Sequence, residues 1–301
     1  MQRPAPRAAP AGATTGQTRH VTDAAYLGVD LAWGEGSPTR PANETGLAAL
    51  ARDGTVLDAG WARGLDAVET WIADRLGPRT LVAVDASLVV TNPARTMRAG
   101  ERQVASRYGR WRVAANPTNL GTPHQAGARL LDRLASHDVG YVSDTASMRE
   151  RTGPAVFECY PYTTIVGVEE LGYDDERPRY KRLDTSIPRP EARARRAVAF
   201  DELVRRIGTL ADPPLRLETH PTTAELVTEP SGIVDRAYKH REDLLDGALC
   251  AWTAAYWERH GDERVQVLGT DGLVPEDAPD ALGRRPGIVA PARPEQRRPR
   301  P

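Results

Sequence analysis

The 301-residue chain carries 40 basic and 41 acidic side chains, for a net charge of -1, with 40% hydrophobic and 27% charged residues. That balance excludes a globally basic surface, so a nucleic-acid partner would have to be held by a local patch, and no run of about 20 apolar residues offers a membrane span. Two cysteines, Cys159 and Cys250, exclude a disulfide framework; both lie in apolar segments where a thiol packs as a small hydrophobe, as expected of a cytoplasmic protein.

Residues 1–24 are rich in Pro, Ala, Gly and Arg, with no apolar core of a secretory signal, and are expected to form a disordered tail. The run from Tyr26 is apolar as far as Asp30 and then turns into a glycine-rich loop, the pattern of a strand with a site at its carboxyl end. Residues 45–63 read as a β-hairpin, because Asp53-Gly54 between two strand-like segments is the signal of a tight type I′ turn. Leu65, Val68, Trp71, Ile72 and Leu76 then recur at helical spacing until Gly77-Pro78 stops the helix. The run TLVAVDASLVV around Asp85 is continuously apolar, as in a central strand covered on both faces.

A three-stranded meander, a crossover helix and a parallel central strand are the first half of an RNase H-like fold. The expected class is therefore α/β, with a mixed central sheet (antiparallel meander plus parallel strands) flanked by helices. Further along, residues 91–119 form an arginine-rich connection with one helix near 101–108, and residues 124–137 an amphipathic helix. PAVFECYPY is a short strand ended by Pro161, followed by a helix with Thr163 or Thr164 as its N-cap. Residues 174–190 are a polar loop. Two strong helices, at residues 191–210 and 240–260, follow, the second closed by Gly261. PGIVAP adds an edge strand before a proline-arginine tail at residues 292–301. Residues 25–291 thus form one domain with insertions at about 91–150 and 170–235.

Four acids interrupt segments that otherwise read as buried: Asp30, Asp85, Glu158 and Asp246. Carboxylates at strand ends suit Mg²⁺ or Mn²⁺, which take hard oxygen ligands, and Asp30 and Asp85 would lie on neighbouring strands. Asp243 and Asp246 are one helical turn apart and face the same way, with His240 a further turn back and read as structural. Glu158 has a competing fate, pairing with one of the many arginines. Arg98, Arg110, Asn116 and Lys181 are the candidate substrate-binding residues, on a stretch where arginines alternate with Tyr108 and Trp111, and in the RYKR segment. Lys181 and Lys239 are the only lysines, which reads as a composition bias toward arginine rather than as selection for phosphate contacts.

The pieces GVDLAWG, VAVDASLVVTNP, the Arg98 and Glu101 pair, AANPTNL, FECYPY, RYKR and DLLDGALCAWTA, in that order, resemble the DUF429 family. The resemblance implies an RNase H-like nuclease with no settled substrate. The acids matching Asp30, Asp85 and Asp246 would be its metal ligands, and Glu158 matches an acid common before its Tyr-Pro. Ser87 stands where the family usually has proline, which implies a differently set loop. The expectation is a metal-dependent nuclease using Asp30, Asp85, Glu158, Asp243 and Asp246. The alternatives are a nucleotide-binding phosphotransferase of the actin and sugar-kinase type, or a nucleic-acid-binding module that has lost the chemistry.

Overall fold

A computed structural model describes residues 24–297 except 35, 37, 38, 40, 233, 271, 273 and 274. Among the described residues, eight strands make one sheet: β1 (Tyr26–Asp30), β2 (Glu44–Leu50), β3 (Val56–Arg63), β4 (Leu81–Val84), β5 (Gly140–Tyr141), β6 (Ala155–Cys159), β7 (Val265–Leu268) and β8 (Ile288–Pro291). The order is β3-β2-β1-β4-β6-β8-β7, with β5 beside the first half of β6. β1, β2 and β3 run antiparallel; β4 joins β1, β6 joins β4 and β8 joins β6 in parallel. This is the meander followed by parallel strands expected of the RNase H-like order.

The sheet is buried on both faces, which explains why its central strands are apolar without alternation. On one face α1 (Leu65–Ala73) and α3 (Ala126–Leu134) cover Leu27, Val29, Val82 and Val84 through Val68, Ile72, Leu130 and Leu131. On the other lie α2 (Ala99–Tyr108), α5 (Pro161–Gly167), α6 (Arg189–Ile207) and α8 (Asp235–His260). Two short helices, α4 (Thr145–Glu150) and α7 (Pro221–Thr228), complete the set. Residues 242–257 of α8 are buried without a break, so this helix has no solvent stripe and belongs to the core.

Three glycines let α8 lie directly on the sheet. A Cβ at Gly28 in β1 would stand 2.0 Å from the carbonyl oxygen of Gly247, one at Gly46 in β2 1.7 Å from that of Asp243, and one at Gly247 2.8 Å from the backbone of Gly46. Helix and strands therefore meet backbone to backbone, and this contact sets where the α8 carboxylates stand relative to β1.

The structure departs from the sequence reading in several places. Helix α7 was not foreseen, and the Asp53-Gly54 turn is not type I′, because only Gly54 has a positive φ and the strands shift register beside it. β8 is not an edge strand: β7, which the sequence reading missed, pairs outside it. β5 and α4 were missed as well, being too short to show a period. α5 starts at Pro161, with Tyr160 as its N-cap, because proline's fixed φ and missing N–H suit a first helical position; Thr163 and Thr164 are fully buried inside the helix. α8 begins at Asp235, five residues before the expected start, at Val234 as N-cap. The expected tail at 292 is anchored through Arg293, whose guanidinium donates to the carbonyls of Val166 and Tyr173 at 2.7 and 2.9 Å and pairs with Asp174. Of the expected tail at residues 1–24, all but Ala24 lie outside the described residues.

Candidate functional site

Chain topology brings the acids together. Asp30 ends β1; Asp85 follows β4, its N–H donating to the Val29 carbonyl at 2.8 Å; Glu158 lies in β6, in register with Val84. α8 crosses above, and its Asp243 is hydrogen-bonded to Asp30. These carboxyls, with Glu242, line a cleft of about 890 Å³. Asp246 lies just behind the cleft wall with no exposed surface; the Tyr180 hydroxyl donates to its Oδ1 at 2.7 Å and the Lys181 ammonium stands 2.6 Å from its Oδ2. On the cleft side Lys239 bridges Glu242 (2.9 Å) and Asp243.

Five carboxyls, Asp30, Asp85, Glu242, Asp243 and Asp246, thus share two ammonium groups. The consequence is visible in their proton affinities. Burial, then Asp246, pushes Asp30 well above the carboxylate range against the pull of Lys181. Asp85 is raised to about 7, chiefly by burial, with Asp246 and Glu158 opposing Lys181. Burial also raises Glu242 and Asp243, each held back by Lys239. Lys181 shows the converse: burial alone would lower it, but Asp246, Asp30 and Asp85 hold it well above an ordinary lysine. Buried like charges of this kind persist only where something offsets them.

Glu158 is different. Arg98 grips it with two N–H groups, one at 2.7 Å from Oε2, while the Leu88 N–H donates to the same oxygen at 3.1 Å. Arg98 also donates to Glu101 at 2.9 Å, and Glu101 accepts the Thr118 N–H at 3.0 Å. This closed triad, with side chains at most 4% exposed, bears on two expectations together: Glu158 has spent its oxygens on an arginine, and Arg98, though it reaches the cleft wall, already makes four hydrogen bonds within the protein. Arg110 lies off the cleft, 3.9 Å over the Trp111 ring and paired with Glu295 at 3.0 Å. Asn116 does line the cleft and is exposed. Lys181 lines it too, engaged with Asp246 rather than free. His240 turns away to stack on Trp61 at 3.4 Å and to meet Glu44 at 2.8 Å. The Ser87 hydroxyl bonds that of Thr118 at 3.0 Å, which ties its loop to the segment behind Glu101.

Sequence reasoning missed Lys239, Glu242, Tyr180, Arg177, Arg182 and Arg236. Arg177 lies 4.3 Å over the Tyr162 ring at the cleft, and Arg182 and Arg236 stand exposed on its rim, neither ion-paired among the described residues. One signal for the lysines was present in the composition. Both lysines of a chain with 40 basic residues fall in the acid cluster.

The fold and the site define an α/β protein of RNase H-like strand order with an acid cluster at the carboxyl ends of β1 and β4. The family model described as protein of unknown function (DUF429) matches residues 28–271, and the chain belongs to that family. Comparison with curated proteins and with solved structures gives no match. No helix among the described residues is long and apolar enough to cross a membrane.

Proposed function

We propose that the protein is a metal-dependent nuclease, hydrolysing phosphodiester bonds of nucleic acid with Mg²⁺ or Mn²⁺ held by Asp30, Asp85 and Asp246, with Asp243 completing the set. The observation that carries this reading is the surplus of carboxyl over ammonium groups in the cluster, with raised proton affinity at Asp30, Asp85, Asp243 and Glu242. A divalent cation is the ligand that such a hard-oxygen set fits. As they stand, no three acids among the described residues form a ready-made cage, and two ammonium groups sit against Asp246, Glu242 and Asp243. Glu158 is left out of the metal set, since Arg98 neutralises it.

When bound, the metal would supply positive charge to the phosphoryl oxygens and a more acidic water. The remaining work falls to the chain itself. Arg182 and Arg236, not ion-paired among the described residues, can meet backbone phosphates, and the Arg177 guanidinium on Tyr162 offers a flat cationic surface at the entrance. Asn116, exposed at the cleft, can hydrogen-bond a base or sugar edge. A cytoplasmic setting belongs to this reading and is supported by two buried, unbridged cysteines.

The test is incubation of the purified chain with a panel of DNA and RNA, linear and branched, in Mg²⁺ or Mn²⁺. Cleavage of at least one member is expected, falling by about 10³-fold or more in Asp30→Asn. Absence of cleavage with every metal sinks the reading. Stabilisation by ATP would then favour a phosphotransferase, and tight binding untouched by Asp30→Asn a binding module.

A further inference from the structure

Arginine accounts for 38 of the 40 basic residues in this chain, so a composition bias has carried nearly every cation to arginine. The two exceptions sit together. Lys181 comes from the loop between α5 and α6, Lys239 from the first turns of α8, and they reach the acid cluster from separate elements. The other ion pairs among the described residues are made by arginine or histidine.

A control lies in the same cleft. Where an acid is neutralised for good, as at Glu158, the partner is Arg98, whose planar fork makes several hydrogen bonds at once and is itself buried at 3% side-chain exposure. Where the partner is lysine, the contact is a compact point charge on a flexible stem: Lys181 Nζ at 2.6 Å from Asp246 Oδ2, and Lys239 on Glu242 and Asp243 with its side chain 59% exposed. A guanidinium fork resists displacement because its bonds break together, whereas an ammonium can rotate away about its stem. In the same position the Lys181 Nζ lies 5.2 Å from the centre of the Tyr162 ring, which faces the cleft, so the ammonium also touches an aromatic face on that side.

We propose that Lys181 and Lys239 are exchangeable counter-ions of the acid cluster, holding it together in the metal-free protein and yielding their places to a divalent cation, which frees their ammonium groups for the substrate's phosphates. This rests on the metal-binding reading above. It explains why Asp246 is behind Lys181 rather than open to the cleft, and why the two lysines of the chain both sit in the acid cluster.

The experiment is Mn²⁺ binding to the full chain by calorimetry, with folding checked by circular dichroism. Removing a competing charge from the cluster should tighten binding, so Lys239→Met is expected to bind Mn²⁺ about tenfold more tightly than the unmodified chain. Lys239→Arg, which keeps the charge in a fork, should bind no more tightly than the unmodified chain. A merely structural lysine predicts the reverse for Lys239→Met, because a loosened cluster binds metal less well. Equal or weaker Mn²⁺ binding by folded Lys239→Met overturns the proposal, as does tighter binding by Lys239→Arg. Lys181→Met serves as the second variant, with the same expected direction. If the unmodified chain binds no Mn²⁺ at all, the metal reading fails with it; if it binds and the lysine variants do not differ, only the exchange fails.

Discussion

Helix α8 carries carboxylates to both ends of the sheet, and the two ends treat them in opposite ways. At one end Glu258 accepts from the Tyr26 hydroxyl at 2.7 Å and from Arg151 at 2.5 Å, with Arg52 completing the set. Burial would raise Glu258, but hydrogen bonds from Arg151 and Tyr26 outweigh it and hold its carboxyl below the usual range. At the other end, Asp243 and its neighbours are raised by burial because two lysines cannot match five acids. One helix thus shows a half-buried acid matched by arginine and tyrosine at one end and fully buried acids in excess of their cations at the other. The satisfied end fastens the fold; the other end gathers repulsion that a cation would relieve, which is why the proposed function is placed there.

The largest way to break this contrast is to lift the helix. A methyl at Gly28 meets Gly247 and Ala251 backbone at 2.0 and 2.2 Å, so Gly28→Ala should cost about 4 kcal/mol or more, read as a lowered urea midpoint. Both ends should suffer together, with metal binding lost at temperatures where the chain remains folded.

The next test separates the ends. Glu258→Gln strands the buried Arg151 guanidinium and should destabilise by about 3 kcal/mol while leaving cleavage intact. Asp85→Asn should do the opposite, abolishing cleavage without loss of stability at neutral pH. The sign follows from proton binding: with Asp85 raised from 3.8 to about 7, the folded metal-free chain holds a proton that the unfolded chain releases. Stability should therefore fall as pH rises from about 4 to about 7, and Asp85→Asn should flatten that slope in urea titrations. Glu258, whose carboxyl is lowered, contributes in the other direction, its share lost only under more acid conditions. If Asp85→Asn leaves the slope unchanged, the cluster is not under the strain described.

The smallest effect concerns the rim. Arg236→Ala should weaken nucleic-acid binding about threefold and reduce the dependence of log affinity on log salt by about 1, measured by fluorescence anisotropy. An unchanged slope would place the nucleic acid elsewhere.

Asp30 and Asp85 were legible in the sequence because each ends an uninterrupted apolar run, and a charge at such a place is a local signal. The meander, the crossover helix and the core helix α8 were legible through period and the presence of turn residues, although Asp53-Gly54 does not form the type I′ turn expected, Gly54 alone having a positive φ. That Glu158 could pair with an arginine was legible, but which one was not, since Arg98 lies 60 residues away and nothing in either segment names the other. Arg110 lined up with its neighbours in sequence but points outward onto Glu295. β5 and α4 are too short for periodicity to speak. The scarcity of lysine was visible as a count and read as composition, and although Lys181 was picked out as a substrate contact, Lys239 was not; their shared meaning lay in where the chain brings them.

The direct seating of α8 on β1 and β2 through Gly28, Gly46 and Gly247 has a consequence for how the centre tolerates change. With no layer of side chains between helix and sheet there is no cushion to repack, so Asp30 and Asp243 keep their spacing however the periphery is altered. The rim arginines and Trp33 come from outside that seat, Trp33 on the loop after β1, Arg182 between α5 and α6, and Arg236 on the exposed first turn of α8. A rigid anvil surrounded by replaceable jaws can be refitted to a new substrate without disturbing the atoms that strike it.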